Sequence, residues 1–91
     1  MDSTIETMEI EGFTVQIDTA KTKSWKAFKL LQQATEADQE LDQFKAMIQL
    51  MEFATDATEE KIVEHLGGDE APYLDVVRLV SEIVSGCYPK N

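Results

Sequence analysis

The chain has 91 residues, a formal net charge of −10, and 43% hydrophobic and 29% charged residues. That is the composition of one globular domain, able to bury roughly 60–70% of its unfolded surface in a modest core. So negative a chain repels phosphate backbones, which argues against nucleic acid as a partner, and no apolar run approaches the roughly 18 residues a membrane span requires.

Met1-Asp2-Ser3-Thr4 is acidic and polar, the reverse of a signal peptide. The single cysteine, Cys87, rules out an internal disulfide and fits a reducing cytoplasm. The charge is uneven. Residues 1–18 carry five acids and no base, and residues 30–91 carry 13 acids and four bases. Between them Lys21, Lys23, Lys26 and Lys29 stand without any acid from Thr19 to Thr35. Such a tract is either a solvated helix face or a docking patch for an acidic surface, a second copy of the chain included.

The first readable element is "MEIEGFTVQI", Met8 to Ile17. Apolar residues alternate with polar ones on both sides of Glu11-Gly12, which predicts a hairpin over about residues 5–18 with a two-residue turn. That turn sets Ile10 opposite Phe13 and Met8 opposite Val15, so these four and Ile17 share one face. A lone hairpin is marginal in water, so helices must cover that face.

Asp18 or Thr19 can cap a helix after the hairpin. This first helix is expected over about 22–34, with Trp25, Phe28 and Leu31 at three-residue spacing and Trp25 filling the core against the hairpin. Thr35 to Asp38 reads as a capping-box variant opening a second helix over about 36–54. Leu41, Phe44, Ile48 and Met51 form a seam on it, widened by Met47, Leu50 and Ala54. Two heptads are too few for a coiled coil, so plain core is expected; any exposed part would instead make a groove for a client helix.

Asp56 or Thr58 can start a third helix over about 58–66, ended by Gly67-Gly68. Asp69 would cap a fourth over about 70–85, with Pro72 in its first turn, an apolar face of Tyr73, Val76, Val77, Val80, Ile83 and Val84, and Gly86 as its stop. Residues 86–91 read as a frayed tail. The fold class is mainly α with a short N-terminal β-hairpin, an α+β domain of four helices packed on the hairpin.

Catalytic chemistry finds little support. His65 has no ligand set at metal-binding spacing, Cys87 has no histidine adjacent in sequence, and no phosphate loop or nucleophile elbow is present. Neither enzyme activity nor a cofactor or metal is expected. The remaining signals are surfaces, which suits a protein that holds another chain or itself.

The order of segments carries a resemblance. "MEIEGFTVQID" is followed by "SWKAFKLLQQA", "FKAMIQLMEF", "ATEEKIVEHLGG" and "LDVVRLVSEIV". Over residues 5–86 this resembles the tail assembly chaperones of long-tailed bacteriophages, particularly small ones from phages of Gram-positive hosts. The resemblance implies a protein that binds the tape-measure protein, coats its hydrophobic helices and recruits tail tube subunits. It would work in the cytoplasm of the infected host and be absent from the mature virion. It also implies a short and a frameshifted long form; the terminal Lys90-Asn91 is compatible with an A-rich slippery run.

Coating a long chain calls for many copies in an open, spiral arrangement, which non-closing contacts provide. Lys21, Lys23, Lys26 and Lys29 could then meet Glu59, Glu60 and Glu64 of the next copy, or a hairpin edge could pair with a neighbouring strand. The alternative is a small acidic adaptor or regulatory module of bacterial or phage origin that binds one protein partner.

Overall fold

The structure, a computed structural model, describes residues 5–88. Strands β1 (Ile5–Ile10) and β2 (Phe13–Asp18) form an antiparallel hairpin. Five helices come after it: α1 (Thr19–Thr22), α2 (Trp25–Glu36), α3 (Glu40–Ala54), α4 (Glu59–His65) and α5 (Tyr73–Cys87), with a 3-10 turn at Gly68–Glu70. The fold is α+β, mainly helical with the hairpin packed on helices.

The hairpin has the expected register, Met8 opposite Val15 and Ile10 opposite Phe13. Glu11 and Gly12 have φ of 54° and 82°, the paired left-handed conformation of a tight hairpin turn. Glutamate is uncomfortable there, and the turn is held from outside. The Glu11 carboxylate ion-pairs with Arg78, and its carbonyl accepts from His65 Nε2 at 3.2 Å. Phe13 lies against the His65 ring, 5.2 Å between centroids. Phe13, Val15 and Ile17 are buried, with Met8 and Ile10 packed beside them.

The outer edge of β2 is covered at Gln16. Asp56 Oδ1 accepts from the Gln16 amide at 2.9 Å, and the Asp56 amide donates to the Gln16 carbonyl at 3.1 Å. The loop after α3 thus makes an isolated bridge to β2 and satisfies the backbone groups of Gln16.

Asp18 caps α1 through the amides of Ala20 and Lys21. The helix predicted over 22–34 is α2, which starts at Trp25, and the separate turn α1 precedes it. Ser24 breaks the chain, donating to the Lys21 carbonyl at 2.7 Å and accepting from the Ala27 amide at 3.2 Å, and so caps α2. The expected capping box at Thr35 to Asp38 does not form, because α2 runs on to Glu36 and the Thr35 hydroxyl donates back to the Gln32 carbonyl. Helix α3 therefore starts at Glu40, not 36, after Gln39, which makes no side-chain cap. Of the two caps expected for α4, Thr58 is the one that forms, through the Lys61 amide.

Asp69 does not cap α5. It sits in the 3-10 turn, and Pro72 occupies the cap position, so α5 begins at Tyr73. Gly86 is not a stop either. Helix α5 continues to Cys87, and a Cβ at Gly86 would overlap the Met8 side chain. The tip of the Met8 side chain, reaching over from β1, fills the space beside Gly86. Tyr88 then donates from its hydroxyl to the Thr22 carbonyl at 2.8 Å, tying the end of α5 to α1. Residues 86–88 are thus anchored, not frayed; the rest of the predicted tail, residues 89–91, lies outside the described residues.

The fully buried residues Val15, Leu50, Met51, Ile62, Leu79, Val80 and Ile83 make a single core. At about 25 cal/mol per Å² of apolar surface, this burial is the main stabilising term. Among the described residues no helix is long and apolar enough to cross a membrane.

Candidate protein-binding site

Among the described residues two clusters of apolar side chains are left uncovered, and Leu41, Tyr73 and Trp25 in them depart from the core roles expected of them. The first is a groove of about 830 Å³ between the N-terminal halves of α3 and α5, closed at one side by α4 and the 3-10 turn. Leu41, Tyr73 and Leu74 are 64%, 75% and 65% exposed along it, and Phe44, Met47 and Val77 form its floor. The seam on α3 therefore splits. Met51 is fully buried, Phe44 and Ile48 are half-buried, and Leu41 stands in solvent. The hairpin packs beside the second half of α5, at Gly86, and the β2 edge beside the end of α3, at Thr55 and Asp56. Glu40, Glu59 and Asp69 line the groove with carboxylates. An apolar trough with an acidic rim suits an amphipathic helix with basic flanks.

The second is a ridge on α2. Trp25 is 72% exposed and Phe28 51%, the two rings stacked with centroids 5.4 Å apart. Trp25 does not fill the core against the hairpin as expected. Helix α2 has two stripes at helical spacing, and the one turned inward is Ala27, Leu30 and Leu31, which lets α2 approach α3 closely through the small Ala27.

All four lysines of the basic tract are exposed, on α1, in the break and on α2. The Lys21 and Lys26 ammonium groups lie 5.6 and 4.8 Å from the centre of the Phe53 ring, an arrangement that keeps their charge at the surface. Glu59, Glu60 and Glu64 are exposed on α4, and only Glu59 reaches the groove. Within one copy, Lys21, Lys23, Lys26 and Lys29 make no ion pair with these glutamates or with any other described residue.

His65 is committed to the Glu11 turn. Among the described residues no group of three or more His, Cys, Asp or Glu is placed to hold a metal ion. Cys87 is buried, and burial pushes its thiol up to about 11, so it stays protonated near neutrality. Arg78 joins Glu11 to Glu82 at 3.3 Å and Asp75 at 3.7 Å, and the hydrogen bond and charge of Glu11, then those of Glu82, raise its pKa further.

Compared with protein-family models, curated proteins and solved structures, the chain matches none of them.

Proposed function

We propose that this protein is a non-catalytic chaperone for amphipathic helices, with the groove between α3 and α5 as its client site. The observation that carries the reading is the exposure of Leu41, Tyr73 and Leu74 above an apolar floor with a carboxylate rim. A client helix lays residues spaced i, i+3 or i+4, and i+7 along the trough, and its flanking lysines and arginines meet Glu40, Glu59 and Asp69. Met47 supplies a floor that re-packs around different side chains, useful to a protein that covers many segments of one long chain.

The segment order that resembles phage tail assembly chaperones supplies the client: the tape-measure protein, held soluble until tail tube subunits replace the chaperone. On this reading the protein works in the cytoplasm of the infected host and leaves before the tail is complete.

Co-expression with the tape-measure protein tests it. The long chain should become soluble and co-purify, and Leu74→Arg should abolish both effects while leaving the chaperone folded. A tape-measure protein that stays insoluble, or that co-purifies equally with Leu74→Arg, overturns the assignment.

A further inference from the structure

The groove and the ridge are complementary in shape, apolar character and charge. The groove is concave, apolar and rimmed by Glu40, Glu59 and Asp69. The ridge is an exposed aromatic pair within the only acid-free, lysine-rich tract of the chain. A chain of net charge −10 repels its own copies almost everywhere. The exception is a contact that puts Lys21 to Lys29 against carboxylates. Stacking on Phe28 also pre-orders Trp25, which lowers the cost of burying it in a partner.

We propose that the Trp25–Phe28 ridge of one copy seats in the α3–α5 groove of a second copy. Lys26 and Lys29, beside the two rings in sequence, then face Glu40, Glu59 and Asp69 on the rim. The contact uses different surfaces on the two copies, so the ends of any chain still offer one free groove and one free ridge, and copies add head to tail. One aromatic pair in one groove lies at the small end of specific interfaces, so assembly is weak and concentration-dependent. The contact stands independently of the client reading. Only its consequence rests on that reading: a client helix and a neighbouring copy compete for the same trough.

The test needs this chain alone. Trp25 is the sole tryptophan, so its emission reports its own burial. For the parent, sedimentation mass should rise and Trp emission should move to shorter wavelength as concentration increases, with both effects weakened by salt. Trp25→Ala and Leu74→Arg, both at exposed positions, should each stay monomeric. Mixed, they should form dimers and nothing larger, because the Trp25→Ala copy keeps an intact groove and the Leu74→Arg copy an intact ridge. All emission then comes from the Leu74→Arg copy and should shift to shorter wavelength on titration with Trp25→Ala. A parent that stays monomeric, a single variant that assembles like the parent, or a mixture with unmoved emission overturns the proposal. Because no tape-measure protein is involved, failure here leaves the client assignment standing, and failure of the client assay leaves this one standing.

Discussion

Helices α3 and α5 each have two halves with the same apolar texture and opposite fates. From the middle of α5 onward, Leu79, Val80 and Ile83 are fully buried, as are Leu50 and Met51 of α3. Toward the N-terminal ends, Leu41, Tyr73 and Leu74 stand in water. Leu41 and Tyr73 continue the stripes of the buried residues, and along those stripes what changes is the cover; Leu74 stands off the α5 stripe, on the face of Arg78 and Ser85. The hairpin reaches Gly86 through Met8 and Thr55 through Ile17, and it seals that end. No second hairpin among the described residues seals the other. One end of the helix pair is thus covered and the other is left open.

The largest effect should come from truncating a covered and an uncovered leucine of α5. Leu79→Ala should cost about 2–5 kcal/mol, as large-to-small changes in packed cores do. Leu74→Ala, five residues earlier on the same helix, should change stability by no more than about 0.5 kcal/mol. Urea unfolding followed by far-UV circular dichroism measures both, and equal losses would mean that the open end is covered in solution.

A smaller effect probes how tightly the hairpin seals its end. Gly86→Ala forces Met8 aside and should destabilise by about 1 kcal/mol. In a Met8→Ala background the same change should become neutral or favourable by about 0.5–1 kcal/mol, because the overlap is gone and alanine is the better helix former. A double-mutant cycle reads the coupling directly.

The smallest effect is in pH. The Cys87 thiol is pushed from its ordinary 9.0 up to about 11 by burial. The folded chain therefore keeps this proton where the unfolded chain loses it. The stability Cys87 contributes is complete below about 9 and is lost as pH rises toward 11. Tyr88, raised by burial and then by the neighbouring Cys87, acts in the same direction. Thiol labelling near neutral pH should be slow and should track urea concentration, and Cys87→Ala should flatten the alkaline slope of stability. Rapid labelling in native buffer would place water at the sealed end.

Much of this fold is legible in the residues. Strict alternation around a two-residue turn admits one register, since slipping by one would turn Val15 and Ile17 outward. The seam on α3 and the stripe on α5 are equally plain, although Leu79, at the centre of the core, stands out less than its more regular valine neighbours. Helix α2 misleads because Trp25–Phe28 and Ala27–Leu30 are both at helical spacing. Size favours the aromatic pair, whereas close approach to α3 favours the alanine stripe. The cap at Thr35 fails for a similar reason: its hydroxyl has a partner within its own helix, at the Gln32 carbonyl.

The basic tract and the acidic groove residues are visible in the sequence as charges but not as places. Asp56, a cap candidate by pattern, is the partner of the β2 edge, and Asp69, another, ends at the groove. Local pattern alone determined the class of the protein, its hairpin and where its long helices run, because those depend on short-range periodicity and turn chemistry. Which half of each apolar stripe is covered was settled only in three dimensions. Burial depends on what the rest of the chain can reach, and among the described residues one hairpin has two ends to cover.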